Sequence, residues 1–232
     1  MAGPKSADPS AALKAYGVEP SEREKKRLLW RDDMELYTVI RWVDAGASPT
    51  TVVSYVNDEI PPFEGDYVLK FIDTAQLFSN VRTHYFGPLP LKINSFEIRW
   101  WRGLNLLQME FYLVTQPITG TRYYGALRWN VLTGCWQNRD TALVWNDIAG
   151  TTETINTETW NYMRMIVDFE NLRYHRLISN ALDVNLASLN IPLQVTGFAF
   201  DGLSYAGLRA HHSAVNCAAY VDDARIYVRE DE

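Results

Sequence analysis

NSFEIRWW (94–101), LNLLQMEFYLV (104–114) and TRYYGALRWN (121–130) are three consecutive runs in which apolar and polar residues alternate. A period of two is the signature of a β-strand with one face buried. Phe96, Ile98 and Trp100 share one face of the first run, and Glu97, Arg99 and Trp101 share the other. In the second run Leu107, Met109, Phe111 and Leu113 oppose Gln108, Glu110 and Tyr112. In the third, Tyr123, Leu127 and Trp129 oppose Arg122, Tyr124 and Arg128. Turn residues at Arg102-Gly103 and in TQPITG (115–120) make an antiparallel meander the simplest expectation. The inward face is that of an ordinary core. The outward face mixes aromatic rings with charged groups.

Outward from this stretch the same pattern recurs. LYTVIRW (36–42), TVVSYV (51–56), YVLKFID (67–73), TWNYMRMIVDF (159–169), RYHRLISNA (173–181) and AAYVDDARIYVRE (218–230) are β-branched or aromatic runs separated by Gly, Pro, Asn and Asp. Residues 181–192 alternate too little for a strand and read as loop. About a dozen strands predict an all-β fold, a two-sheet antiparallel sandwich. Residues 1–30 differ: Asp8-Pro9 to Gly17 carries helix punctuation, and Ser21 with Glu24 forms a capping box ahead of Lys25–Leu29. The expected organisation is a short helical N-terminal arm, 1–30, and a sandwich body, 31–232.

A formal charge of −6 in 232 residues argues against a dedicated nucleic-acid binder, whose phosphate contacts need Lys and Arg. No segment reaches the roughly 20 apolar residues of a membrane span. Cys135 and Cys217 match no zinc spacing, and neither do the histidines at 84, 175, 211 and 212. The opening from Met1 lacks the basic-then-apolar order of a secretory signal, so the expected location is a cytoplasm or a virion.

Asp32-Asp33-Met34-Glu35, then Arg41-Trp42-Val43-Asp44-Ala45-Gly46, then Glu64 to Lys70, together resemble the opening strands of carbohydrate-binding-type jelly rolls. Tyr220-Val221-Asp222-Asp223-Ala224-Arg225-Ile226-Tyr227 is similar to their closing strand. The resemblance spans the ends of the body and extends to the wider concanavalin-like, laminin-G-like sandwiches. It implies a jelly roll, and a structural calcium held by Glu35 and Asp223 where the first and last strands meet; no other cofactor is expected.

Three function classes follow. Trp101, Gln108, Glu110, Tyr112, Arg122 and Tyr124, with Tyr162 on a later strand, form the candidate binding surface. Trp, Tyr and Arg dominate protein interfaces, so the first expectation is a non-catalytic virion subunit: a phage capsid, decoration or tail protein acting as a homo-oligomer or larger assembly. The alternative is a carbohydrate-binding module, with the rings stacking on pyranoses while Gln108, Glu110 and Arg122 bond hydroxyls. The third class, a glycoside hydrolase or lyase, rests on Glu97 and Glu110 as a carboxylate pair on one face. Nearby arginines explain both acids without catalysis.

Overall fold

The computed structural model describes residues 26–35, 41–45, 51–83, 87, 89–117, 120–197 and 203–229. Its strands are β1 (Lys26–Asp32), β2 (Trp42–Asp44), β3 (Thr51–Val56), β4 (Val68–Asp73), β5 (Phe78–Thr83), β6 (Ile93–Trp101), β7 (Leu106–Gln116), β8 (Thr121–Asn130), β9 (Cys135–Arg139), β10 (Trp145–Thr152), β11 (Trp160–Asp168), β12 (Arg173–Ser179), β13 (Asp183–Asn185), β14 (Gln194–Gly197), β15 (Leu203–His212) and β16 (Ala218–Arg229). They form two antiparallel sheets of eight strands. One runs β13-β12-β11-β6-β16-β4-β3 with β1 beside β16; the other runs β10-β9-β8-β7-β15-β5-β2 with β14 beside β8. This is the all-β jelly-roll sandwich expected from the alternation and from the strand motifs at both ends.

The opening stretch is not one meander. β6 pairs with β11 and β16 in the first sheet, whereas β7 pairs with β8 and β15 in the second. The Arg102–Asn105 connection therefore crosses the sandwich. Alternation reports which face of a strand is buried and is identical for both sheets, so it cannot say which sheet a strand joins. Only the TQPITG joint is a hairpin, with Thr115 opposite Tyr123 and Gln108 opposite Asn130.

Trp100 shows the crossing. Its ring lies 5.8 Å from that of Phe111 and 5.9 Å from that of Trp129, both on the other sheet. Around it are Phe71, Phe96, Ile98, Met109 and Trp136, all fully buried in one core. Gly125 of β8 is required here, because a Cβ would come within 2.6 Å of Val167 Cγ1 from the facing sheet.

Two other expectations change. The helix proposed through Lys25–Leu29 is, over its described part, strand β1, which pairs with β16 and lays Trp30 edge-on against Trp42 at 5.8 Å. Burying that ring against a sheet overrides local helix propensity. The two expected helices otherwise lie outside the described residues. The 181–192 segment holds strand β13 and a 3-10 turn at Ala187–Leu189.

Each sheet has a central strand whose edge is shared. β16 is paired by β4 over Ala218–Val221 and by β1 over Ala224–Arg229, with a bulge between. There Asp222, fully buried, accepts from the backbone N–H groups of Phe63, Glu64 and Asp223 at 3.0, 3.1 and 2.7 Å. β8 is shared by β14 and β9, and the Tyr174 hydroxyl reaches across the core to fill the gap. It accepts from Ala126 N–H at 2.8 Å and donates to Ala126 C=O at 2.7 Å. Both devices satisfy backbone groups that the sheet ladder leaves open.

His212, at the end of β15, is buried with Nε2 unpartnered among the described residues, and burial, then the charge of His211, pushes its imidazole down to about 4. Its folded value lies below the unfolded value near 6.5, so the unfolded chain takes the proton first. That contribution is intact above pH 6.5 and is lost as pH falls towards 4. Asp222 acts in the opposite sense, since burial raises it to about 7 and the fold gains as pH falls from there. Because Asp222 is common to both proteins, His212→Gln isolates the histidine. Urea unfolding at pH 7 and pH 4.5 should show the variant gaining up to about 3 kcal/mol on the wild type at the lower pH. An unchanged difference between the two pH values would contradict this.

Candidate functional site

Strand parity and register decide what lies on the outer surface of the second sheet. One row across it holds Asn80, Arg209, Glu110, Arg128, Gln137 and Asp147, on six adjacent strands. The next row holds Arg82, Gly207, Tyr112 and Ala126, and the third holds Tyr205, Val114 and Tyr124. Gly207 and Ala126 offer almost no side chain, so the surface dips between taller neighbours. Tyr112, Val114 and Ala126, with Tyr124, Trp145 and Tyr205 packed on them, form an apolar cluster separate from the main core.

The dip is a groove of 350 Å³. Tyr112, Tyr124 and Tyr205 supply its aromatic part; Asn80 and four arginines, 82, 122, 139 and 209, supply its polar part. Along one wall Arg122 Nη1 donates to the Tyr124 hydroxyl at 2.7 Å, which lies 3.3 Å from the Tyr205 hydroxyl. Near the Arg139 end, two guanidinium groups lie over Trp145: those of Arg128 and Arg139 are 4.4 and 5.9 Å from its ring centroid.

Glu110 is the hub of the polar row. It is 1 % exposed, and its carboxylate lies 3.0 Å from His211 Nε2 and 3.8 Å from both Arg128 Nη1 and Arg209 Nη1; it also accepts from the Tyr112 hydroxyl. Gln108 accepts from Arg128 Nη1 at 3.0 Å; Gln137 accepts from Arg128 Nε at 2.7 Å and donates to Asp147 at 2.6 Å. Burial pushes the Arg128 guanidinium below its ordinary value; Glu110 pulls it back, Arg139 adds to the fall and Asp147 opposes it.

Of the residues singled out in the sequence, Tyr112, Arg122 and Tyr124 line the groove and Gln108 and Glu110 support it. Trp101 and Tyr162 do not belong there, because β6 and β11 are in the first sheet. Trp101 packs against Trp160 at 5.6 Å, and Tyr162 lies under the Arg99 guanidinium at 4.3 Å. The Tyr162 hydroxyl bonds Glu97, which Tyr227 also bonds, with Arg164 and Arg225 within 4.0 Å. Glu97 and Glu110 thus sit on the outer faces of different sheets and are not a carboxylate pair. Arg82, Arg139, Tyr205 and Arg209 were missed. The alternation of Tyr205, Gly207, Arg209 and His211 carried the signal for two of them. Arg82 and Arg139 could be assigned only from sheet order.

Glu35 and Asp223 anchor structure. Glu35 accepts from the backbone N–H groups of Asp66 and Tyr67 at 2.8 and 3.2 Å, passing so close to Gly65, which has φ +74°, that a Cβ there would meet its carboxylate. Asp223 is gripped by Arg225 at 2.6 and 2.7 Å, with Arg31 at 3.5 Å. Calcium takes six to eight oxygen ligands, and no group of three or more ligating side chains is gathered among the described residues. Each of the two carboxylates is engaged by protein groups, Glu35 by backbone N–H groups and Asp223 by arginines. Cys135 and Cys217 are both free thiols, and no helix among the described residues is long and apolar enough to cross a membrane.

No protein-family model matches this sequence, and no curated protein does. Among solved structures the chain is similar to a β-glucanase of Bacillus licheniformis, at 10% identity and TM-score 0.50 over 87% of this chain and 98% of that one. It is equally similar to a carbohydrate esterase from the Shiga toxin-encoding bacteriophage phi24B, at 10% identity and TM-score 0.50 over 88% of this chain and 100% of that one. A xylan-binding domain from Paenibacillus barcinonensis aligns at 8% identity and TM-score 0.44 over 91% and 100%. At these identities the likeness is one of fold alone: the solved structures it is similar to include carbohydrate-binding modules, β-sandwich glycoside hydrolases and a carbohydrate esterase.

Proposed function

We propose that this protein binds glycan chains, without cleaving them, in the groove on the outer face of the second sheet. The observation that carries the reading is the groove itself. Tyr124 and Tyr205 present aromatic rings for pyranoses beside the buried Tyr112, and Asn80 and the arginines present hydrogen-bond donors for hydroxyls, around the gap that Gly207 leaves. Ligand sites combine apolar surface and convergent polar groups in this way. A non-catalytic role is supported by the state of the acids. Glycosidases need two carboxylates flanking one bond, whereas Glu110 is enclosed by its own partners and Glu97 lies on the other sheet. The virion-subunit expectation drew on an outer face counted as one surface. That face divides between two sheets, so the glycan reading takes precedence.

A glycan array probed with the wild type, Gly207→Leu and Trp101→Ala tests this. A Cβ at Gly207 would meet Tyr112 and Val81 only at ordinary contact distances of 3.5–3.6 Å, so a side chain can start there, in the groove that Gly207 lines. Gly207→Leu should lose at least about tenfold in affinity, or about 1.4 kcal/mol, and Trp101→Ala should bind normally. Equal binding by wild type and Gly207→Leu, or loss confined to Trp101→Ala, would place the site elsewhere.

A further inference from the structure

We infer that the saccharide taken by this groove is anionic, carrying carboxylate or sulfate groups. This rests on the glycan-binding reading above and goes beyond it to the class of sugar. Of the eleven described residues that line the groove, four are arginines and none is Asp or Glu. Including the supporting row adds Arg128 on one side and Glu110 and Asp147 on the other, so that guanidinium groups outnumber carboxylates among the described residues of this surface. Glu110 is shared among Arg128, Arg209 and His211, so it offsets only part of that charge.

The excess is local. The whole chain carries a formal charge of −6, and a polyanion approaching most of its surface is repelled. A positive groove on a negative protein focuses the field on one place. The arginines also come from separate strands: Arg82 from β5, Arg209 from β15, Arg122 from β8 and Arg139 from β9. They surround the tyrosines instead of forming one exposed run. Guanidinium only donates, so acceptors for the hydroxyl protons of a neutral glycan are confined to Asn80 and the tyrosine hydroxyls. The planar guanidinium fork matches carboxylate and sulfate oxygens, and bonds to charged acceptors are about twice as strong as neutral ones. Tyr124 and Tyr205 remain available to the faces of the sugar rings between charges. Such a ligand would alternate apolar ring face and anionic edge, as uronate and sulfated chains do.

Calorimetric titration of the full chain with polygalacturonate oligomers, heparin oligosaccharides and neutral xylo-oligosaccharides, at 50 and 500 mM NaCl, tests the inference. At least one polyanion should bind roughly tenfold or more tighter than the neutral chain, and its affinity should fall with salt as the groove charge is screened. Tight binding of polygalacturonate alone assigns the anion as carboxylate, of heparin oligosaccharides alone as sulfate. Arg122→Gln and Arg139→Gln should each weaken polyanion binding about tenfold while leaving the melting temperature unchanged. If either variant melts early, the salt dependence of the wild type carries the test. Neutral chains bound as tightly as polyanions, or binding indifferent to salt, would overturn the inference and leave the glycan reading standing. Failure to bind any of the three chains at either salt would overturn the inference together with the reading beneath it.

Discussion

Glu110→Ala is expected to cost about 3–5 kcal/mol of unfolding free energy at pH 7, one of the largest effects available on the outer surface of this protein. The reason is the company Glu110 keeps. Its side chain is 2 % exposed, Arg128 is 13 % exposed, and Arg209 and His211 complete the enclosure. Removing one member of such a set leaves desolvated positive charge without its counterion, which costs far more than losing an exposed ion pair, worth about 0–1 kcal/mol. Gln108 and Gln137 would still hold Arg128 by its N–H groups, but neither brings a compensating charge. Chemical denaturation should therefore show a lower midpoint with the slope unchanged. A loss below about 1 kcal/mol would mean that water reaches this row and that Glu110 is not its hub. A purely catalytic Glu110 would give that small loss together with lost turnover.

The second large effect is in the core, where Trp100→Ala should cost about 3–5 kcal/mol and Trp100→Phe under about 1.5 kcal/mol. Trp100 is fully buried and spans the space between the sheets, touching Phe111 and Trp129 at ring distances of 5.8 and 5.9 Å. Alanine leaves a cavity that two facing sheets cannot close. Phenylalanine keeps most of the volume and also removes an indole N–H that has no hydrogen-bond partner among the described residues, so part of the lost packing is offset by the relief of a buried unsatisfied donor. The contrast between the two substitutions is the test. Similar costs for both would show that the indole N–H finds a partner, or that the ring is not a spacer between sheets.

How much of this was legible in the sequence depends on what period-two alternation can carry. It identified the inward residues of 94–130, so Phe96, Ile98, Trp100, Met109, Phe111 and Trp129 are buried as expected. The strands at both ends carried the jelly-roll resemblance. Alternation could not show that the four residues after Trp101 cross the sandwich, because a strand looks the same from within either sheet. That one ambiguity moved Trp101 and Tyr162 off the candidate site and separated Glu97 from Glu110. It also hid the groove, since half of the arginines that line it come from β5 and β15, distant in sequence from Tyr112 and Tyr124. Strand β1 illustrates the reverse failure. Lys26–Leu29 has helix-forming residues, but the pairing edge of β16 and the edge-on contact of Trp30 with Trp42 supply tertiary contacts that propensity does not include.

Hydroxyl-radical footprinting of the protein with and without a saturating glycan, read residue by residue by mass spectrometry, tests the central claim most directly. Tyr124 and Tyr205 in the groove should be protected by the ligand. Trp101, Trp160 and Tyr220, on the outer face of the first sheet, should react equally in both states. Protection of the Trp101–Trp160 face, with Tyr124 and Tyr205 unchanged, would contradict the account.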